Sequence, residues 1–556
     1  MLGRRRRGQG RLVTALVVLG LAAGAPLAAA PDGPGALSHL DLARKDCLGT
    51  ARNRTSKVWY TVADGALSDL YYPTVDNTNV ETLQYVVTDG ATFTDLQTRD
   101  TSYTVRPLDP TGMSCRVTTT ADSGRYRIVT DYVTDPGRDA LLLRVRFEPL
   151  APGDLRLYLR FDPTVNGNGG GGSGNGGADS GTVDTSTGRP VPVAADPVTA
   201  TNATNRDYAQ PVHVALDASR PFTEVSNGFA GTASDGLTQL DRDHALTTTY
   251  TDAAQGNLVQ TARVDLAAGR DLTLAIGFGA TQGEAVGTAG AALETGFGRA
   301  LVRYAAGWVG YDARLVPPPA RFPGLGDAAA RELRRVYYLS ANVLKASEDK
   351  TFPGAVVASL ASPWGQAVSA GDPNNTYFGS YREVFARDLY EAFTGLMLAG
   401  DRATARDTVR FLFERQQLPD GSMPRNSLVN GKLAPDSFGI QLDEVTYPIL
   451  MAWQAGLTDG AFYSEHIKRA ADFAISHGPS FGSERWEEQG GFSPSTIAAE
   501  IAGLVAAADI AAANGDRASA RVYRGVADDF QRSVKGWTVT SNGPKSPDPY
   551  FIRLSK

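Results

Sequence analysis

Phe385-Ala386-Arg387-Asp388-Leu389-Tyr390-Glu391-Ala392-Phe393-Thr394-Gly395-Leu396-Met397-Leu398-Ala399-Gly400 decides how the second half of this chain folds. Leu389, Ala392, Phe393 and Leu396 stand at i, i+3, i+4 and i+7, the spacing of one apolar stripe on a helix. Gly400 then stops that helix. The next stretch repeats the pattern with Ala405, Val409, Leu412 and Phe413 and closes at Pro419-Asp420-Gly421. Spacing predicts further helices near 331–347, 444–456, 460–476, 494–513 and 516–534. The helix from 494 opens on Ser493 and Pro494, a good cap and first-turn pair. Ala399-Gly400-Asp401-Arg402-Ala403 and Asn514-Gly515-Asp516-Arg517-Ala518 are near copies of one connector. Antiparallel helix pairs joined by similar turns read as a helical toroid or solenoid, with a site built from the loops at one end.

Upstream the period is different. From about residue 35 to 300 the chain reads as β, with no helical runs between the strands. Val58-Trp59-Tyr60-Thr61-Val62, Tyr126-Arg127-Ile128-Val129 and Leu141-Leu142-Leu143-Arg144-Val145-Arg146-Phe147 are β-branched or aromatic runs divided by Asp-Gly, Pro-Gly and Asn-Gly turns. That predicts a large antiparallel sandwich. The Gly-rich stretch 166–177 reads as one long loop inside it, because β-type sequence resumes afterwards. The predicted division is 1–30 an export signal, 31–310 the sandwich, 311–327 a linker stiffened by Pro317-Pro318-Pro319, and 328–556 the helical domain.

Composition narrows the partners. The 556 residues carry a net charge of −6, which argues against a general nucleic-acid binder and suits a neutral substrate. Arg4 to Arg7, the apolar Leu12 to Leu27 and Ala28-Ala29-Ala30 form an export signal, with a membrane anchor as the alternative. No later segment reads as long and apolar enough to cross a bilayer. Cys47 and Cys115 form a disulfide in an exported chain, or remain two buried thiols. Five dispersed His and no CxxC spacing speak against a zinc site. Calcium in the β domain stays open, although no loop carries an EF-hand pattern.

Three polar stretches precede predicted helices. In Arg485-Trp486-Glu487-Glu488-Gln489-Gly490-Gly491 a carboxyl sits beside an aromatic ring. Desolvation there raises its pKa, as a general acid for glycosidic oxygen requires, and Trp486 offers a flat face to a sugar. Taken alone, Glu-Glu is more often a solvated surface pair. In Phe385-Ala386-Arg387-Asp388, a fork of donors beside acceptors suits two adjacent sugar hydroxyls, or is simply an ion pair at a helix start. Phe438-Gly439-Ile440-Gln441-Leu442-Asp443-Glu444 again puts an aromatic and polar groups before a helix, with Asp443 as a candidate N-cap. Trp364, in Ser362-Pro363-Trp364-Gly365, is a fourth loop aromatic.

The ordered series Phe385-Ala386-Arg387-Asp388-Leu389-Tyr390, Gln417-Leu418-Pro419-Asp420-Gly421-Ser422, Gln441-Leu442-Asp443-Glu444 and Arg485-Trp486-Glu487-Glu488 followed by Gly491-Phe492-Ser493-Pro494-Ser495-Thr496 resembles glycoside hydrolase family fifteen, which includes bacterial glucoamylases and glucodextranases. Upstream, Leu67-Ser68-Asp69-Leu70-Tyr71-Tyr72-Pro73-Thr74-Val75-Asp76 and Val87-Thr88-Asp89-Gly90 are similar to the β-sandwich that precedes the catalytic domain in bacterial members. The resemblance implies an (α/α)6 barrel and a secreted, exo-acting, monomeric α-glucan hydrolase. Such an enzyme releases β-glucose by inversion and needs no cofactor. It implies Glu487 as general acid, Arg387 and Asp388 on the terminal glucose, and Trp486 and Glu488 along neighbouring subsites. Phe385 and Phe438 stand where the family often has Trp, keeping a stacking face but losing an indole donor.

The implied general base is a Glu late in the barrel, and nothing after Glu500 matches it. The sequence therefore reads as a barrel truncated at its C-terminal end. The alternatives are a glucodextranase-type α-1,6-glucosidase and an inactive α-glucan-binding fragment.

Overall fold

The computed structural model describes residues 45–167, 179–196, 205–360, 381–434, 437–485 and 489–556. Two antiparallel sheets form the first half. In the eight-stranded sheet the long strands Thr78–Thr88 and Arg156–Gly167 pair at the centre. The nine-stranded sheet has Val212–Ala218, Asp271–Gly279 and Ala140–Pro149 in its middle. Strand Ala140–Pro149 shows how the residues sort. Leu141, Leu143, Val145 and Phe147 enter the core between the sheets, while Ala140 and Leu142 face the other way into a second core. Side chains alternate across a strand, so an unbroken Leu-Leu-Leu run means both faces are covered.

The cover on the outer face is helical and corrects the expectation of a purely β segment. After two short helices, α1 (Gln97–Asp100) and α2 (Gly236–Asp243), the sheet is followed by α3 (Gln282–Thr295) and α4 (Phe297–Asp312). Ala285, Ala289, Ala292, Ala300, Tyr304 and Trp308 from these helices fill the second core. Three Gly in α3, Gly283, Gly287 and Gly290, weaken its helix propensity, which hid it from a reading by period. A capping box was present all the same: Thr281 accepts from the Glu284 N–H while Glu284 reaches back. Gly277 is required beneath α3, since a Cβ there would lie 2.4 Å from the Ala289 nitrogen. Helix α4 runs to Asp312, two residues into the expected linker.

The Cys47 and Cys115 sulfurs are bonded across a separation of 68 residues, tying the first strand of one sheet to Cys115–Ala121 of the other. Closing a loop of that size stabilises the fold by a few kcal/mol, on the order of 4 kcal/mol by chain entropy.

The helical half comprises α5 (Asp327–Ala346), α6 (Ala386–Ala399), α7 (Arg402–Phe411) with a π turn at Leu412–Gln416, and α8 (Leu442–Ala455). It continues with α9 (Gly460–Phe462), joined by a π turn at Tyr463–Ile467 to α10 (Lys468–His477), then α11 (Pro494–Ala513) and α12 (Arg517–Thr538). The Ser493–Pro494 start and the Gly400 stop are where the sequence puts them. Helix α11 corrects one expectation: by length and composition it could cross a membrane. Here it packs between α8 and α12, with Gly503 against Thr446 of α8.

One core spans the seam between the halves. Trp59, Tyr71 and Val75 of the β half pack in the same cluster as Leu389, Phe393 and Val445 of the helical half. The Trp59 indole donates to the Ala346 carbonyl at 2.8 Å, and the Val75 N–H to Asp349 at 2.9 Å. The Lys350 ammonium donates to Thr50 Oγ1, Ala51 O and Ser56 O at 2.5, 2.7 and 2.6 Å.

Candidate active site

Helices α6 and α8 begin side by side, and neither caps itself. Phe385 and Gln441 occupy the two N-cap positions without a side-chain bond to their own helix. Glu444 of α8 accepts from the Ala386 N–H of α6 at 3.2 Å, so a carboxyl from one helix satisfies the start of the other. Exposed N–H groups and the helix dipole favour negative charge at such ends, and Asp388, Asp443 and Glu444 all fall in the first turns.

Asp443 is the hub. It is fully buried and takes the Arg387 guanidinium through both oxygens, Nε to Oδ2 at 2.8 Å and Nη2 to Oδ1 at 3.2 Å. Arg485 donates to the same Oδ2 at 2.6 Å. The Arg387 Nη2 also donates to Gln441 Oε1 and lies 3.3 Å from Glu444 Oε1. Asp443 is therefore not an N-cap. It sits inside the first turn of α8 and joins the Phe385–Asp388 turn to Arg485. Paired, partly desolvated guanidinium–carboxylate contacts of this kind are strong and directional.

The carboxyls around the hub titrate high. Burial pushes Glu444 well above the ordinary range, against the pull of Arg387. Crowding by surrounding protein raises Asp388 as well, again opposed by Arg387, although its side chain is exposed at the surface. Asp388 turns toward a cleft that it borders with Glu391, Leu344, Val357 and Leu360. Arg387 and Asp388 thus share a turn, but Arg387 is committed inward and Asp388 faces out.

Aromatic groups form the rim. Phe385 is nearly buried and stacks on Tyr381 at 5.9 Å between ring centres, while Phe438 is 55% exposed. The Arg425 guanidinium lies 4.6 Å from the Phe438 ring centre and 5.7 Å from that of Phe385, linking the two. Tyr390 of α6 and Tyr447 of α8 stack at 4.4 Å just behind. Trp364, Trp486, Glu487 and Glu488 lie outside the described residues, as do the export signal and most of the Gly-rich stretch. The base of the 485–489 loop is described. Its Glu484 N–H bonds the Gln489 carbonyl at 2.9 Å, and Arg553 donates to the Arg485 carbonyl at 3.2 Å. Among the described residues no group of three His, Cys, Asp or Glu could hold a metal ion.

Sequence reasoning named Arg387, Asp388, Phe385 and Phe438, and the fold brings Arg387, Phe385 and Phe438 to one end of α6 and α8. It missed Asp443 as an ion-pair centre, and it missed Arg425 and Glu444. Two acidic residues opening an apolar helix marked Asp443 and Glu444. Arg425, in a loop of ordinary composition, carried no signal.

The family "Glucodextranase, domain N" matches residues 30–313, and "Glycosyl hydrolases family 15" matches residues 332–556. The chain is 34% identical over 528 residues to a glucoamylase of Clostridium sp. (strain G0005), covering 95% of this chain and 69% of that protein. The fold superposes on a crystal structure of a bacterial glucoamylase complexed with acarbose, with a TM-score of 0.83 and 34% identity over 95% of this chain and 72% of that one. With an N-terminal double sheet of the glucodextranase type leading into helices whose paired starts hold Arg387 and Asp443, this chain is a glycoside hydrolase and belongs to glycosyl hydrolase family 15.

Proposed function

We propose that this protein is a secreted, exo-acting α-glucan hydrolase of the glucoamylase type, removing glucose from non-reducing ends with inversion. The observation that carries the reading is the double engagement of Asp443. By binding Arg387 and Arg485 together it ties the turn proposed to hold the terminal sugar to the loop that continues into Trp486-Glu487-Glu488. The 34% identity to a glucoamylase supports α-glucan as the substrate class.

In this reading Arg387 and Asp388 hold the terminal glucose, Trp486, Glu488, Phe385, Phe438 and Trp364 line the neighbouring subsites, and Glu487 protonates the leaving glycosidic oxygen. The scissile bond breaks toward that oxygen while water attacks the opposite face. Such a reaction needs a second carboxylate roughly 6.5–9.5 Å from the first; no residue of the chain is assigned that role. The chemistry requires no cofactor, and the protein acts as a monomer. Residues 1–30 direct export, which suits a cross-linked Cys47–Cys115 pair.

The test is the purified chain and its Glu487→Gln variant, assayed with maltooligosaccharides and isomaltooligosaccharides while the anomer of released glucose is followed by NMR. The reading expects β-glucose, and a loss of about 10²–10⁴ in rate for the variant with sugar binding largely kept. Near-normal turnover by Glu487→Gln shows that another carboxyl is the acid. Initial release of α-glucose rules out inversion. Preference for isomaltooligosaccharides favours the α-1,6 alternative, and sugar binding without turnover favours a binding protein.

A further inference from the structure

Arg425, which bridges the Phe385 and Phe438 rings, begins a loop that the β half grips from outside. The loop carries a small hairpin, closed by a bridge between Ser427 and Leu433, with Gly431 at its tip. The base of the hairpin runs against the Phe385 turn. Val384 donates to the Ser427 carbonyl at 2.9 Å, and Ser427 donates back to the Val384 carbonyl at 3.0 Å. The Asn426 N–H donates to Ser437 Oγ at 3.3 Å, so the residues beside Arg425 and Phe438 are tied together.

The grip comes from residues 205–208. Asn205 donates to the Leu433 carbonyl at 2.8 Å, and Asn430 donates to the Asn205 carbonyl at 2.9 Å. Asn430 also donates to Asp207 Oδ1 at 2.7 Å, and the Lys432 ammonium donates to Asp207 Oδ2 at 2.7 Å. The intervening residues anchor this segment to the β half. Arg206 is buried and donates to Asn77 at 2.9 Å, and the Tyr208 hydroxyl donates to Asp76. The Tyr208 ring also packs against Leu428 and Ala434 of the hairpin. On the opposite side the hairpin meets the π turn after α7. A Cβ on Gly431, where φ is +87°, would stand 2.5 Å from the Arg415 Cβ. The hairpin tip is thus wedged between the β half and that π turn.

Holding the two halves together is not what this cluster is built for. The buried Lys350 and Trp59 contacts already join them. Asp207 and Lys432 are each more than half exposed, and an exposed ion pair adds little to stability. What the cluster does fix is the place of one hairpin, and that hairpin is continuous with the rim.

We propose that the β half takes part in sugar recognition: Asn205 and Asp207 are positioning residues that hold the 427–434 hairpin, and through it keep Arg425, Phe385 and Phe438 in register as the wall of the neighbouring subsites. This rests on the reading of Phe385 and Phe438 as subsite walls. The β half is then more than a support for the helices, because it sets how firmly the far part of a longer oligosaccharide is held. The terminal glucose, on the Arg387 turn, does not depend on it.

The experiment compares the full chain with D207A, D207N, F438A and D207A/F438A, using maltose and maltoheptaose, or the matching isomaltooligosaccharides if the wild type prefers them. Amide hydrogen exchange across 427–433 is the readout that needs no turnover. In D207A that exchange should rise at least about threefold, because the closed position is less populated. KM for the long substrate should rise about threefold to tenfold with kcat within about twofold, as when the binding-ready arrangement falls to about a third to a tenth of the molecules. KM for the disaccharide should stay within about twofold. D207N keeps one acceptor oxygen and should fall between wild type and D207A. The double variant should lie within about twofold of F438A alone, since two residues acting through one wall are not additive. Wild-type exchange in D207A overturns the grip. Equal losses on both substrates, an unchanged KM for the long one, or multiplying effects in the double variant overturn the role in recognition. A wild type that neither cleaves nor binds either sugar series defeats the reading of the site itself, and exchange alone then decides whether the β half holds the hairpin.

Discussion

Lys350 at the seam and Glu500 beneath the site are both ionisable and both buried, and the fold houses them in opposite ways. An ammonium has three donors, and Lys350 spends each on an oxygen of the β half, with the Trp59 ring centre 4.9 Å away. Glu500 has two oxygens and places neither on a donor among the described residues, while two further carboxyls act on it. A completely satisfied buried charge makes a joint between domains. An incompletely satisfied one is costly to ionise and is driven toward its neutral form. Asp443, between the two extremes, is a buried charge satisfied by two arginines that belong to the site and by the Glu444 N–H.

The comparison is most exposed to failure at Asp443. Asp443→Asn leaves two guanidiniums sharing one amide oxygen, and breaking a buried pair costs about 3–5 kcal/mol. Both arginines are about one-fifth exposed and can swing to water, so the lower end, about 3 kcal/mol, is expected in urea unfolding, together with loss of turnover. A variant with wild-type stability and activity would remove Asp443 from the centre of the site.

Lys350→Met should cost somewhat less, about 2 kcal/mol, by stranding Thr50 Oγ1 and two carbonyls that solvent reaches poorly. Its effect should appear as earlier separation of the two halves in limited proteolysis. A cost above that of Asp443→Asn would invert the comparison and make the seam the weaker point.

Acidity distinguishes the two groups by sign. Burial lowers Lys350 to about 7, with Asp139 and Asp349 opposing. Between pH 7 and about 10.4 the unfolded chain therefore holds the extra proton, and this residue's contribution to stability rises with pH. Glu500 is raised, so its contribution is fully present below the ordinary glutamate value and is lost as pH climbs through the folded value. Each group accounts for at most about 1.4 kcal/mol per pH unit. Lys350→Met should flatten the rising limb of stability against pH, and Glu500→Gln the falling one. Identical profiles for both variants would refute the assignment of opposite signs.

The smallest effect belongs to the rim. Phe438 is more than half exposed and is linked to Phe385 through Arg425, so Phe438→Ala should change stability by less than about 1 kcal/mol. Its effect should fall on KM for longer oligosaccharides. A large loss of stability would place Phe438 in the core instead of on the rim.

Helix positions after residue 327 were legible because Leu389, Phe393 and Leu396, or Val409 and Phe413, repeat at a helical period that needs no tertiary information. The start at Ser493-Pro494 and the stop at Gly400 are equally local, since capping depends on the residue at the end and its backbone angles. The outer helices α3 and α4 were not legible. Their Ala and Gly positions fit equally well in a loop, and what makes them helical is the face of the nine-stranded sheet on which they lie.

The site divides the same way. Residue types in order along the chain were enough to mark Phe385, Arg387, Asp388, Phe438 and the Arg485–Glu488 stretch, because helix starts collect polar groups and the order of motifs is written in the sequence. That Arg387 turns inward while Asp388 turns out depends on which helix stands next to α6. That Asp443 binds two arginines 56 and 42 residues away depends on α8 beginning beside both. That Glu500 finds carboxyls and no donor depends on Gly478 and the packing of α11 against α8. Local pattern determines where helices lie, since it acts through bonds a few residues apart. Charge pairing and protonation are decided by groups far apart in sequence and a few ångströms apart in space, and only the tertiary structure brings those together.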